Sequence, residues 1–367
     1  MNKRLLVMAG GTGGHIFPGL AVADELAASG WQILWLGTAD RMEADLVPQA
    51  GYDIEFIKIK GVRGKGIIAK LLTPLKLFGA VLAARKVIKT FKPDVIAGFG
   101  GYVALPGGIA AKLTGTPLVI HEQNALAGMT NKILAKWANK IFCAFESVGG
   151  LSNYTVVGNP IRADILAQRQ QNARAAKAEQ ATKVNLLVVG GSLGAQALNT
   201  YVPQAIAQLN SPIPVVVKHQ CGKGNLLATQ QAYQQAEGNP QVTVQVDEFI
   251  SDMASAYAEA DLVICRAGAL TVSEIAAVGV ASIFVPLPHA VDDHQTKNAQ
   301  TLQNVGAAQI LTQSQLTHGL LQPLLQELLA DGQTKLSQMA QACAQVAKLD
   351  APKILAQEIE LLAVGTK

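Results

Sequence analysis

Two glycine-rich turns, each set between a short apolar run and a stretch of helical character, most constrain what this chain can fold into. The first follows Arg4-Leu5-Leu6-Val7-Met8-Ala9 and reads Gly10-Gly11-Thr12-Gly13-Gly14-His15. The second follows Val184-Asn185-Leu186-Leu187-Val188-Val189 and reads Gly190-Gly191-Ser192-Leu193-Gly194-Ala195. Both spell strand, turn, helix. Glycine lets the backbone pass close to a ligand, and the open N–H groups of the helix that follows face whatever binds there, so such turns suit anionic or sugar ligands. Their separation along the chain places them in different domains.

At 367 residues, two domains are the natural expectation. Apolar runs of strand length recur at 5–8, 33–36, 54–57, 95–97, 118–120 and 141–144, with helix-length segments between most of them. This is the βα alternation of a parallel sheet. The first helix is expected from about residue 16 or 18 through 28, with Pro18 tolerated in its first turn and Gly30 ending it. Gly158-Asn159-Pro160 interrupts regular structure, and the Ala- and Gln-rich stretch 163–183 reads as a surface helix or a mobile connection. The alternation restarts at 186–189, 215–218, 242–246, 262–265 and 282–285. A helical stretch, 338–363, broken near Pro352, can pack back on the first domain. The expectation is therefore α/β with two doubly wound parallel sheets. One domain spans 1–160 and is completed by 341–367, the other spans 161–340, and ligands sit at the carboxyl ends of the strands in the groove between them.

The basic Met1-Asn2-Lys3-Arg4 start is followed by an apolar run that ends at Gly10, too short for the core of a signal peptide, and apolar stretches elsewhere are broken before the length of a spanning helix. Cys143, Cys221, Cys265 and Cys343 are scattered, with no close pair of zinc or redox spacing, and read as free buried thiols in a reducing cytosol. Charge is unevenly divided: 17 Lys and Arg stand against 10 Asp and Glu up to Pro160, and 13 against 16 after it. Within the first part, the segment 56–93 holds Lys58, Lys60, Arg63, Lys65, Lys70, Lys76, Arg85, Lys86, Lys89 and Lys92 and no acidic residue, which suggests an anionic surface nearby.

The spacing of the glycines argues against a nicotinamide or flavin site, because after Gly11 and Gly13 the third required glycine is Ile16, and the second turn fits no better. A nucleotide-phosphate loop ending in Gly-Lys-Ser/Thr is absent too. Glycines that merely shape tight turns are the plain alternative for either turn alone; having both in one chain weakens it.

Gly10 to His15 followed by Pro18-Gly19-Leu20-Ala21 resembles the N-terminal loop of the MurG family of glycosyltransferases, which add N-acetylglucosamine to lipid I. Further motifs fall in the same order: Gly98-Phe99-Gly100-Gly101-Tyr102 and Gly107-Gly108, His121-Glu122-Gln123-Asn124-Ala125 with Gly128-Met129-Thr130-Asn131, and Gly158-Asn159-Pro160-Ile161-Arg162. In the second half Gly190 to Ala195, Arg266-Ala267-Gly268-Ala269-Leu270-Thr271-Val272-Ser273-Glu274 and 289–299 complete the pattern. Leu193 departs from it, standing where many relatives have Gln, as does the polar stretch 168–180.

The resemblance implies a GT-B fold, UDP-N-acetylglucosamine as donor, lipid I as acceptor and lipid II as product, in peptidoglycan synthesis and hence cell-wall growth, shape and division. It implies no cofactor and no nucleic-acid partner, and allows protein partners in wall synthesis. The location implied is peripheral, on the cytoplasmic face of the bacterial plasma membrane. Transfer of a sugar from a nucleotide diphosphate needs a stabilised leaving phosphate and a base for the attacking hydroxyl. No Asp-x-Asp triplet is present to hold a metal against the diphosphate. Ser192, the amides of 191–195 and those of Ala269, Leu270 and Thr271 can instead present helix N-termini to it, so inversion without metal is expected. Glu274, one turn beyond Leu270, can accept from the ribose diol, or be no more than a helix-surface carboxylate or capping partner. By resemblance Ile250 reads uracil through its backbone, Arg162 approaches the nucleotide, and Gln295 with Asn124 holds sugar hydroxyls. Thr12, Gly13, Gly14, Val272 and Ser273 join the donor side, and Gly101, Tyr102, Glu122 and Asn131 the acceptor side.

His15 is the candidate base, because it ends a glycine turn and imidazole titrates near neutrality; the alternative is a histidine that only shapes its loop. His289 and His294 with Asp292 and Asp293 lack the spacing of the helical His-Glu-x-x-His metal motif, so no metal site is expected. The lysine-rich segment, including Lys65, Lys70 and Lys76, interleaves apolar residues in a way that suits a bilayer surface, although a helix facing the core would show the same pattern. Two rivals share the reading: a UDP-sugar 2-epimerase, which has no need of a lipid-facing patch, and a non-catalytic sugar-nucleotide sensor.

Overall fold

Strands covered by helices on both faces read as continuous apolar runs, and β1 (Arg4–Ala9) shows it: from Leu5 onward every residue is buried. The computed structural model describes residues 3–59, 73–175, 183–191, 194–234, 238–288, 293–331 and 333–365. Ser192, Leu193, His289, Asp292, Lys65 and Lys70 lie outside these. The chain divides into two compact units, 1–162 with 348–367, and 163–347.

The first unit holds a seven-stranded sheet. Its strands are β1, β2 (Gln32–Gly37), β3 (Asp53–Phe56), β4 (Val95–Gly100), β5 (Leu118–Glu122), β6 (Lys140–Cys143) and β7 (Thr155–Val156), in the order β3-β2-β1-β4-β5-β6-β7. All pairings are parallel. The order reverses direction between β1 and β4, and the first glycine turn leaves β1 at that switch point, where open α/β sheets bind ligands. The β1–β4 register runs Met8 against Gly98 and then Ala9 against Gly100, an irregularity that brings the glycines ending β4 beside the turn.

The helix after β1 runs Gly13–Ala28, starting earlier than the sequence pattern indicates and placing His15 in its first turn. Consecutive glycines disfavour a helix by propensity, but Ile16, Leu20, Val22, Ala23 and Leu26 bury against the sheet and override it. The C-terminal segment also differs from expectation. Residues 343–345 form a 3-10 turn belonging to the second unit, with the Cys343 thiol 3.6 Å from the Val280 carbonyl. The chain is irregular at 347–350, so the helical stretch is interrupted near Pro352 as the sequence indicates, and Pro352 sits in the first turn of the helix Ala351–Val364, where its missing N–H is an orphan anyway. Leu355, Ala356, Ile359 and Ala363 of that helix join the core that also holds Leu26 and Trp31, so the chain end completes the first unit.

In the second unit β8 (Val184–Val189), β9 (Val215–Gln220), β10 (Val242–Asp247), β11 (Leu262–Cys265), β12 (Ala281–Phe284) and β13 (Ala308–Ile310) form a parallel sheet ordered β10-β9-β8-β11-β12-β13. The switch again lies at the strand carrying the glycine turn, between β8 and β11. The polar stretch is the helix Ala163–Ala175, anchored by buried Ile165 and by Arg169, which donates to the Ala277 carbonyl at 3.1 Å. All four cysteines are free and buried.

Each unit buries a neutral histidine. Burial holds His121 and His219 at a pKa of about 4, well below the ordinary 6.5. The unfolded chain therefore takes up protons first as the pH drops. Stability is full above about pH 6.5 and is lost as the pH falls toward 4, by up to about 3 kcal/mol for each histidine. Denaturant midpoints measured from pH 7 to 4 should show this loss, and His219→Gln should reduce the slope for the second unit.

Candidate active site

The first glycine turn is held by contacts that a sequence cannot display. His15 is half-buried, and its Nδ1 lies 3.2 Å from the Gly10 carbonyl oxygen and 3.5 Å from Thr12 Oγ1. A carbonyl only accepts, so Nδ1 carries the ring proton and Nε2 keeps its lone pair. Burial lowers the His15 pKa, while the charge of Glu122, the Gly10 carbonyl and the charge of Glu43 oppose that shift in decreasing measure. The ring packs against the end of β4, where a Cβ at Gly100 would stand 3.0 Å from Nε2, and one at Gly101 (φ +84°) would strike the Gly10 carbonyl. Those two positions need glycine for both reasons. Thr12 is the N-cap by backbone only, and its carbonyl accepts from the amides of His15 and Ile16. The first-turn amides of Gly13 and Gly14 have no carbonyl one turn back to bond, which suits an anion or a hydroxyl. Arg162 stacks over the Phe17 ring at 5.1 Å on the same helix, and Tyr102 is exposed.

Glu122, at the end of β5, is 3% exposed and collects four hydrogen bonds. Oε1 accepts from the Asn124 amide (3.0 Å) and Asn124 Nδ2 (3.2 Å). Oε2 accepts from the Gly128 amide (3.0 Å) and Asn131 Nδ2 (2.8 Å). Asn131 is likewise buried. Glu122 and Asn131 therefore shape the loop 123–128, and of this group Asn124 is the half-buried member that can reach a ligand. His121 completes the brace: its Nε2 donates to the Gly158 carbonyl at 2.9 Å, while Asn159 Nδ2 donates to the Gln123 carbonyl at 3.1 Å.

In the second unit Gly194 (φ +77°) backs onto the Cys221 carbonyl so closely that a Cβ would collide with it. That carbonyl also accepts from Asn199 Nδ2 at 2.9 Å, Asn199 Oδ1 receives His219 Nε2 at 3.1 Å, and His219 Nδ1 receives the Tyr233 hydroxyl at 3.0 Å. This buried chain fixes the wall behind the second turn. Gln220 links the turn to Ile250, donating from Nε2 to the Gly191 carbonyl (3.2 Å) and accepting the Ile250 amide at Oε1 (2.9 Å). The Ile250 N–H is thus engaged within the protein.

The helix Ala269–Val278 begins at Gly268 with no side-chain cap, so the amides of Leu270 and Thr271 are available for an anion. Ala269, Leu270, Thr271 and Ser273 lie along its start. Val272 is fully buried, so its side chain serves the core. Glu274 is 8% exposed and accepts the Tyr257 hydroxyl at 3.3 Å, which excludes the reading as a helix-surface carboxylate. Gln295 Oε1 accepts the Leu287 amide at 2.9 Å. Arg266 acts as a brace, its Nη1 donating to the Val285 and Pro286 carbonyls and Nη2 to Gln313 Oε1. Among the described residues, no cluster of His, Cys, Asp or Glu is arranged to hold a metal ion. Glu43, buried beside the first turn, and the His219 chain were not singled out by sequence; only the tertiary contacts reveal them.

Two doubly wound sheets with glycine turns at both switch points define a two-unit α/β protein of the nucleotide-sugar glycosyltransferase class. Residues 5–143 match the glycosyltransferase family 28 N-terminal domain, and 185–355 match its C-terminal domain. The UDP-N-acetylglucosamine--N-acetylmuramyl-(pentapeptide) pyrophosphoryl-undecaprenol N-acetylglucosamine transferase of Aeromonas hydrophila is 56% identical over 366 residues, covering 100% of this chain and 98% of the relative. Its namesake from Shewanella sp. (strain ANA-3) is 55% identical over 97% of this chain and 96% of its own. The crystal structure of Acinetobacter baumannii MurG aligns with a TM-score of 0.84 at 45% identity, covering 98% and 99% of the two chains. This chain belongs to the MurG family of GT-B glycosyltransferases. A UDP-GlcNAc 2-epimerase from Neisseria meningitidis also aligns, with a TM-score of 0.64 at 12% identity, a likeness of fold alone.

If Glu122 shapes its loop, Glu122→Gln should lower the stability of the first unit by roughly 1–3 kcal/mol, because a carboxamide cannot accept at both ends. Hydrogen exchange at the Asn124 and Gly128 amides should accelerate in that variant, with the second unit unaffected.

Proposed function

We propose that this enzyme transfers N-acetylglucosamine from UDP-N-acetylglucosamine to the muramyl 4-hydroxyl of lipid I, giving lipid II. Agreement along nearly the full chain with transferases of that name supports the substrate pair. Within the molecule, the observation that carries the chemistry is the 3.2 Å contact of His15 Nδ1 with the Gly10 carbonyl oxygen, which assigns the ring proton to Nδ1 and leaves Nε2 as an acceptor beside a glycine turn. In a single displacement the acceptor oxygen forms a bond to the anomeric carbon as that carbon's bond to the diphosphate breaks. His15 Nε2 takes the hydroxyl proton, and configuration inverts from α to β. The departing UDP carries the negative charge.

The reading assigns the donor to the second unit. The amides of Leu270 and Thr271, with Ser192 and the turn around Gly194, meet the diphosphate without a metal; Glu274 accepts from the ribose hydroxyls; and the Ile250 backbone meets uracil. Ala269, Ser273 and the Val272 backbone line this part. Gln295 and Asn124 hold sugar hydroxyls, and Arg162 approaches the nucleotide. Thr12, Gly13 and Gly14 with Gly101 and Tyr102 surround the reacting groups from the first unit, which takes the lipid acceptor.

Contact with the cytoplasmic face of the plasma membrane is part of the same proposal. On the helix Thr73–Phe91, Ala80, Val81, Ala84 and Ile88 are buried while Leu75, Phe78 and Leu82 are exposed at 69%, 63% and 48%. The apolar residues thus divide between core and solvent. Exposed Lys76, Lys86 and Lys89 flank the outer stripe, and the helix Ala104–Thr114 packed beside it exposes Leu113. Among the described residues no helix is long and apolar enough to cross a membrane. An apolar stripe ringed by lysines suits the surface of an anionic bilayer, where partner proteins of wall synthesis would also be met.

Radiolabel transfer from UDP-N-acetylglucosamine to a lipid I analogue tests the reading. Product should form in excess EDTA, and none should form by 2-epimerisation when the sugar nucleotide is supplied alone. His15→Ala should lower kcat by roughly 10² to 10⁴-fold with little change in nucleotide affinity. A metal requirement, or near-parental kcat in that variant, would overturn the corresponding part. Changing Lys76, Lys86 and Lys89 together to Glu should sharply reduce sedimentation with anionic vesicles, since each basic side chain contributes about 1 kcal/mol there, while soluble acceptors are still glycosylated.

A further inference from the structure

We infer that Glu43 is a positioning residue for the base, acting through the peptide group that joins Gly10 to Gly11. Its side chain is 1% exposed, and three donors converge on it. Oε2 accepts the Gly11 amide at 2.9 Å, and Oε1 accepts the Thr38 amide at 3.0 Å and the Thr38 hydroxyl at 2.7 Å. The carboxylate is wedged between the ends of β1 and β2. A Cβ at Gly10 would stand 2.5 Å from Oε1, and one at Gly37 would stand 2.8 Å from Glu43 Cγ. No salt-bridge partner faces it among the described residues, so its charge is met by these hydrogen bonds alone and by its place in the first turn of the helix Glu43–Gln49.

The Gly11 N–H and the Gly10 C=O belong to one planar peptide and point in opposite directions. Glu43 holds the N–H and His15 Nδ1 donates to the C=O, so fixing one end aims the other. Gly11 has φ +94°, a backbone state open to glycine, and glycine turns have little stiffness of their own. The carboxylate supplies that stiffness and thereby sets the direction of Nε2. It also acts on the proton: the charges facing His15 are Glu122 from β5 and Glu43, and both favour the protonated ring.

This inference rests on the reading of His15 as the base. Glu43→Gln keeps the shape and the Thr38 bonds but turns the charged acceptor into a neutral amide. In this variant kcat should fall about 10- to 100-fold with the KM for UDP-N-acetylglucosamine within twofold. Histidine NMR titration, with His15 assigned by its loss in His15→Gln, should show the His15 pKa moved lower. Thr38→Val, which removes one donor and keeps the charge, should give a smaller fall in kcat. Ile88→Ala, a core change on the helix Thr73–Phe91 in a hydrophobic cluster separate from the one that holds Ile16 and Leu20, should lower thermal stability and leave kcat at parental level at a permissive temperature. If Glu43→Gln retains parental kcat and His15 pKa while the parent transfers sugar, the inference is wrong. A kcat loss matched by Ile88→Ala at equal destabilisation would also overturn it, reducing Glu43 to a stability role. If His15→Ala retains kcat while Glu43→Gln still shifts the His15 titration, the assignment of the base fails and the coupling stands.

Discussion

The peptide group between Gly10 and Gly11 is where the backbone of the first unit becomes chemistry. Its carbonyl takes the proton of His15 Nδ1, its N–H is held by Glu43, and Gly101 lies against it so closely that no side chain fits there. Everything around it follows from that demand. The β1–β4 irregularity brings Gly100 and Gly101 alongside, and buried Ile16 and Leu20 keep the helix start pinned to the sheet. An acidic side chain is tolerated in the interior only because three donors surround it, since an isolated buried carboxylate would instead gain a proton or unfold its surroundings.

The second unit meets a similar need by different means. Its turn leans on the Cys221 carbonyl, which is fixed by a neutral chain running from Tyr233 through His219 to Asn199. Where the first turn is proposed to aim an imidazole, a carboxylate suits, because its charge also assists proton uptake. A turn proposed to meet diphosphate is better served by neutral support, since a buried negative charge behind it would oppose an anionic ligand. Open first-turn amides of the helix Ala269–Val278 fit the same logic.

The first unit carries one more division of labour, on its surface. The helix Thr73–Phe91 is apolar on two faces, one closing the core through Ala84 and Ile88, the other exposing Leu75, Phe78 and Leu82. Among the described residues nothing covers that outward stripe, and it coincides with the region free of acidic residues.

Sequence pattern was enough for the parallel sheets, because strands buried on both faces must be continuously apolar and the intervening helices must be amphipathic. It was enough for both glycine turns. The strands β7 (Thr155–Val156) and β13 (Ala308–Ile310) went unseen, since two or three residues at a sheet edge leave no apolar run. The helix start at Gly13 was misjudged where packing outweighed propensity. The roles of individual polar residues were decided only in three dimensions. Glu43 and Glu122 look like any acid beside a helix or strand, and Val272 looks like its neighbours in a motif. Burial and the direction of each donor distinguish a brace from a ligand contact, and both depend on residues far apart in the chain. Sequence periodicity records which face a residue occupies; which groups meet it there is a property of the assembled fold.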